Sequence, residues 1–268
     1  MASPGADEPL VLLERQAGYA VITLNRPAKR NAMNTAAQNQ LVAALEATEK
    51  DCAAIVLTGA GDVSFCAGVD LTERRGLGAT DASRQFAWGS DSWFEVQERI
   101  LRHPAVFVAA VNGYALGGGL TLVNNCELAV ASKTAQFGMP ELGLGTFPAL
   151  AGPSTCHRLL PKHAAQLIFT AKRVDAATAL GWGLVNEVVE PEILLSRARE
   201  LAERIAEFDP IAVDYSKKAV REIANLDWSR AIDYGLRTGA HIRAQTGTAT
   251  SAVRKFLDGQ PPDEKETP

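Results

Sequence analysis

Val106-Phe107-Val108-Ala109-Ala110-Val111 runs straight into Asn112-Gly113-Tyr114-Ala115-Leu116-Gly117-Gly118-Gly119, and then into Leu120-Thr121-Leu122-Val123. The first six residues read as a strand buried on both faces, because an unbroken apolar run leaves no side for water. The glycine triplet lets the backbone approach a ligand closely and adopt positive φ. Residues 120–126 read as a short helix, whose N-terminus favours negative charge. No Gly-Lys-Ser/Thr follows and no G-x-G-x-x-G matches, so phosphate-loop and dinucleotide readings lack their motifs. A second turn upstream follows the same plan. Residues 53–58 form an apolar run, and Phe65-Cys66-Ala67-Gly68-Val69-Asp70 follows. Each turn can present backbone N–H groups, and two such donors aimed at one oxygen would stabilise a thioester enolate.

Outward from these turns the chain reads as mixed α/β. Residues 11–14 and 20–24 form a hairpin across Gln16-Ala17-Gly18, and Asn25-Arg26-Pro27 ends it. Asn34 or Thr35 caps a helix to about residue 50 that buries Leu41, Ala44, Leu45 and Thr48. Residues 81–103 read as helix, ended by Pro104. Residues 128–131 form a strand and 136–138 a short extended piece. Pro140, Gly143, Gly145, Pro148 and Gly152-Pro153 then punctuate a long loop with brief helix. From about His163 the pattern is mainly helical, with segments near 163–171, 176–180, 191–208, 210–224 and 227–257. The tail 258–268 carries three prolines and four acids and reads as disordered.

Composition excludes several classes. The chain has 268 residues, 47% hydrophobic, with a formal net charge of -4, which offers no basic field for nucleic acid. No apolar run approaches the roughly 18 residues that span a membrane, and residues 1–9 lack the features of a secretion signal. Cys52, Cys66, Cys126 and Cys156 form no C-x-x-C, which fits a reduced cytoplasmic setting. His103, His157, His163 and His241 show no metal-ligand spacing and read as surface or packing residues. Cys66 has no histidine partner nearby and reads as packing. Glu141, in a Gly/Pro-rich loop, is either a solvated charge or a general base held by a stiff loop.

At these residues the chain resembles the crotonase, or enoyl-CoA hydratase/isomerase, family. The matching pieces are Leu24-Asn25-Arg26-Pro27 with Asn31-Ala32-Met33, then Ile55-Val56-Leu57-Thr58-Gly59, the two turns, Phe137-Gly138-Met139-Pro140-Glu141 and Gly181-Trp182-Gly183-Leu184-Val185. They occur in family order over residues 10–257. The resemblance implies a spiral core of ββα units over 10–190 after a flexible start at 1–9. It also implies a helical trimerisation region over 191–257, with trimers pairing into hexamers. The implied ligand is an acyl-CoA thioester, with coenzyme A as part of the substrate and no separate cofactor or metal. Ala67 and Gly118 match the oxyanion-hole amides and Glu141 the acid/base. Lys29, Arg30, Ala32, Val69, Asp70, Leu71 and Gly117 match the CoA pocket, and Phe256 is expected to reach a neighbouring subunit's CoA. Residues 62–87 and the helix through Trp88 and Trp93 are expected to line or cover the acyl pocket.

One position departs from the pattern. Standard hydratases resemble one another in a glutamate where this chain has Thr121. Glu127, six residues later, lies about 240° further around a helix and reads as structural. Thr121 can hold a water but cannot act as a base near neutral pH. Glu141 alone can still serve as acid/base, which fits a hydratase-type lyase. It also fits a double-bond isomerase, aldolase-type lyase or hydrolase. The reading from a different class is a non-catalytic acyl-CoA-binding protein.

Overall fold

A computed structural model describes residues 8–74 and 92–246. The hairpin forms as expected: β1 (Val11–Arg15) pairs antiparallel with β2 (Tyr19–Leu24). Then come α1 (Thr35–Thr48), β3 (Ala54–Gly59) and β4 (Ser64–Cys66). The Asn34 side chain caps α1 by accepting from the Ala37 amide. After α2 (Ser92–Arg102) follow β5 (Val106–Val111), β6 (Tyr114–Leu116), α3 (Gly118–Asn125), β7 (Leu128–Ser132) and β8 (Gln136–Gly138). The chain continues through α4 (Ala151–Arg158), α5 (Pro161–Thr170), β9 (Val174–Asp175), α6 (Ala176–Gly181) and β10 (Glu187–Val189). It ends with α7 (Leu194–Ala206), α8 (Pro210–Ile223) and α9 (Trp228–Thr246).

Two sheets result. The larger runs β1-β2-β3-β5-β7-β10, and the smaller β4-β6-β8-β9. Three times in succession a strand of the large sheet is followed at once by one of the small sheet: β3 by β4, β5 by β6, β7 by β8. This is the spiral of ββ steps that the family resemblance implied. The links are tight. The Asn112 side chain donates to the Gly59 and Gly61 carbonyls at 2.9 and 2.6 Å, and a Cβ at Gly113 would lie 2.2 Å from the Val63 carbonyl oxygen.

The unbroken apolar runs are explained by burial on both faces. Ile55, Leu57, Phe107 and Ala109 face the main core with Leu41, Leu45 and Ile100. Ala54, Val56, Val108 and Ala110 face Leu194, Ala198 and Ala202 of α7. Strands β4, β6, β9 and β10 lie outside the sequence expectations, since two or three residues carry too little periodicity to read. The last hundred residues are therefore not purely helical. Residues 81–91 and 247–257, expected as helix, and the tail, expected as disordered, lie outside the described residues.

A buried lysine helps to pin the helical end to the core. Lys217 of α8 is 3% exposed and donates to the carbonyls of Ile100, His103 and Ala105 at 3.0, 2.8 and 2.8 Å. It thereby caps the C-terminus of α2. Lys217→Met strands these acceptors without a donor, and is expected to cost about 3 kcal/mol and about 10 °C in Tm by calorimetry.

Candidate active site

Strands β4, β6 and β8 run parallel, so their C-terminal ends lie side by side. β4 leads into Ala67-Gly68-Val69, β6 into Gly117-Gly118-Gly119, and β8 into Met139-Pro140-Glu141. Ligands in parallel sheets bind at this edge, where the connecting backbone is free to turn. The turns touch: a Cβ built at Gly68, where φ is +91°, would come within 3.0 Å of the Gly118 nitrogen. Gly117 has φ +52°, and a Cβ there would lie 2.6 Å from Glu141 Oε1. A Cβ at Gly118 would lie 3.0 Å from the Trp93 ring, and one at Gly119 only 1.9 Å from the Cys66 carbonyl oxygen. Each glycine of the triplet thus has its own close neighbour.

The amides of the first turn are not equivalent. The Ala67 N–H donates to the Arg30 carbonyl at 3.0 Å, so the expectation that Ala67 supplies an oxyanion donor is corrected. Val69 forms a parallel bridge with Met33, in which Met33 N–H donates to the Gly68 carbonyl and Asp70 N–H to the Met33 carbonyl. The Val69 N–H therefore points away from that partner, and among the described residues no acceptor meets it. The Gly118 N–H heads α3 and likewise meets no acceptor among them.

Glu141 opens a short 3-10 turn at Glu141–Leu144, half-buried, with its carboxylate against Gly117. Its Oε2 is buried and has no hydrogen-bond partner. Burial pushes its pKa above the ordinary carboxylate value, opposed only by a backbone hydrogen bond. Two free amides beside an under-solvated carboxylate form a site that can hold an oxyanion and move a proton.

A family model described as "Enoyl-CoA hydratase/isomerase" matches residues 14–262. The chain belongs to the enoyl-CoA hydratase/isomerase family. It is 39% identical over 227 residues to the short-chain-enoyl-CoA hydratase of Clostridium acetobutylicum, covering 84% of this chain and 85% of that protein. It is 38% identical to the crotonyl-CoA hydratase of Syntrophomonas wolfei, covering 83% and 85%. The crystal structure of an enoyl-CoA hydratase from Mycobacterium smegmatis superposes with a TM-score of 0.87 at 31% identity, covering 96% of this chain and 99% of that one.

Within this enoyl-CoA hydratase/isomerase fold, Thr121 is buried in α3 and its hydroxyl donates to the Gly117 carbonyl at 3.4 Å. It carries no titratable group beside Glu141. Glu127, past the end of α3, accepts from the Phe107 amide at 2.9 Å and pairs with Arg221, which is the structural role read for it. Cys66 is fully buried, and burial pushes its thiol up to about 12, so it packs rather than attacks.

The expected CoA residues separate into two groups. Asp70 is buried in an ion pair with Arg26 at 3.0 Å, and Arg26 also donates to the Ala32 carbonyl. This pair clamps the first turn, so Asp70 holds structure and offers no free charge. Lys29 and Arg30 lie exposed at the end of a 3-10 turn, Ala32 and Val69 are half-buried, and Leu71 is exposed. Phe256 lies outside the described residues, as does most of the stretch expected to cover the acyl pocket. Trp93 is 3% exposed and packs on Gly118, at the glycine turn itself. The sequence missed the Val69 amide, because which amide of a short bridge is free depends on its distant partner. Among the described residues no cluster of His, Cys, Asp or Glu is arranged to hold a metal.

Proposed function

We propose that the enzyme adds water across the double bond of a 2-enoyl-CoA thioester. The Val69 and Gly118 amides hold the thioester oxygen, which gains negative charge as the enolate forms. Glu141 takes a proton from the attacking water as its oxygen joins Cβ, and returns that proton to Cα. The observation that carries this reading is the buried, unpartnered Oε2 of Glu141 beside two unpaired amides. The curated relatives named as hydratases support it. Thr121 favours a second reading, double-bond isomerisation, because a 1,3-proton shift needs one carboxylate and no held water. Purified protein offered crotonyl-CoA and a 3-enoyl-CoA in parallel is expected to hydrate the former. Faster conversion of the 3-enoyl substrate would transfer the assignment to the isomerase. Binding with no turnover of either would leave an acyl-CoA-binding protein.

The assembly we propose is a homotrimer, with the hexamer as a pair of trimers. Helix α9 buries none of its described residues, and Trp228 (81% exposed), Ile232 and Leu236 (69%) recur every four residues on one face. An apolar stripe of this kind marks a protein–protein surface. Light scattering is expected to give three or six chains, and the double variant Trp228→Lys, Leu236→Lys to shift the mass toward one. No described helix is long and apolar enough to cross a membrane. The free thiols support a reducing, cytoplasmic setting.

A further inference from the structure

Gln38 is out of place by residue type. It lies in the first turn of α1, on the face that buries Ala37, Leu41, Ala44 and Leu45, and is itself only 3% exposed. A leucine there would bury more apolar surface and leave no polar group to desolvate. The Gln38 amide is instead engaged at both ends. Its Nε2 donates to the Met33 carbonyl at 2.9 Å, and its Oε1 accepts from the Ser92 hydroxyl. The Met33 carbonyl can only accept, so it fixes which way round the amide stands. We propose that Gln38 is a positioning residue that sets the spacing of the Val69 and Gly118 amides, by tying both turns of the site to the head of α1.

Each end of the amide leads to one turn. Met33 brackets Val69: its N–H donates to the Gly68 carbonyl at 2.8 Å, and its carbonyl accepts the Asp70 N–H at 3.0 Å as well as Gln38. The first turn therefore moves with Met33. Ser92 opens α2, and the next residue, Trp93, packs its ring on Gly118, where a built Cβ would meet it at 3.0 Å. The second turn is therefore buttressed by whatever holds the head of α2. The turns come from different strands, β4 and β6, and meet at Gly68 and Gly118. Turns that only touch can still slide, whereas two donors stabilise one oxygen only when both lie about 2.7–3.1 Å from it. A buried amide bonded at both ends resists that sliding, because the low dielectric strengthens its bonds and no water competes for them. A polar residue at an apolar position is the kind of local departure that sequences keep at functional sites.

This inference rests on the two-amide site proposed above, and its test separates the two. Gln38→Met keeps the length of the side chain but breaks both bonds. The Met33 carbonyl keeps the Asp70 N–H, so the variant should fold. Its kcat for crotonyl-CoA is expected to fall about tenfold with KM little changed. That is less than the loss of a whole oxyanion donor, because the amides are displaced rather than removed. Ser92→Ala breaks one bond at a half-buried position and should lower kcat by less. The double variant should fall no further than Gln38→Met, since both act through one relay. Hydrogen exchange without ligand should quicken in residues 67–70 and 117–120 together. Isotope-edited infrared on bound butyryl-CoA, a saturated thioester that cannot be hydrated, should show a carbonyl stretch lowered by wild type and less so by Gln38→Met. Wild-type kcat in Gln38→Met, whatever its Tm, overturns the positioning role, and so does exchange that quickens in one turn only. A wild-type protein that lowers the stretch yet turns over no enoyl-CoA would sink the hydratase reading alone, with Gln38 still decided by the stretch and the exchange.

Discussion

Glu141→Gln is expected to lower kcat for crotonyl-CoA hydration by about 10²–10⁴-fold, the usual worth of a positioned acid/base. The amide keeps the shape of the carboxylate but cannot accept a proton near neutral pH. Thr121 does not take over, being a neutral hydroxyl that donates to the Gly117 carbonyl. KM should change little, because the oxyanion amides remain. The loss must not be one of folding, and linkage supplies the control. Burial raises the pKa of Glu141 in the folded protein. A raised carboxylate pKa gives stability present below the unfolded value and lost as pH rises through the folded one. At neutral pH the ionised Glu141 therefore weakens the fold, so Glu141→Gln should melt at the same temperature or higher. The same shift places the acid limb of kcat/KM above the ordinary carboxylate value, with activity falling as pH drops through it. A variant that turns over within a few-fold of wild type would remove Glu141 from the mechanism.

Gly117→Ala is expected to lower kcat by about 10²-fold while the protein stays folded, the scale on which a displacement of about 1 Å acts. The new methyl would lie 2.6 Å from Glu141 Oε1, and a carboxylate at the end of a flexible side chain moves before backbone does. Gly117 also sits at φ +52°, ψ −116°, outside the left-handed helical region that an alanine can visit, so a loss of about 1–3 kcal/mol should accompany it. The readout is the split: kcat falls steeply, the affinity for free CoA holds, and Tm drops by a few degrees. Wild-type kcat in Gly117→Ala would show that the carboxylate has room to spare and that its contact with this turn does not position it.

Much of this was legible before any coordinates. The runs at residues 53–58 and 106–111 announced central strands, because burial on both faces leaves no polar position within them. Asn34 announced the start of α1, because its side chain solves a local hydrogen-bonding problem. The glycine triplet and Glu141 announced the site, and the missing glutamate at Thr121 announced the departure from the two-carboxylate pattern. Strands of two or three residues escaped, since their existence depends on the neighbour they pair with.

Sequence alone therefore determined the family, the order of the main strands and helices, the second glycine turn and the carboxylate, Glu141, that lies against it. Each is written in local periodicity, backbone freedom or residue chemistry, which a chain carries wherever it goes. Only the tertiary structure decided which amide of the first turn is free. Arg30 takes the Ala67 N–H and Met33 brackets Val69, and those partners lie more than thirty residues upstream. Only the tertiary structure locked Asp70 onto Arg26. A hydrogen bond or an ion pair depends on distance in space, and distance in space is set by the packing of the whole chain.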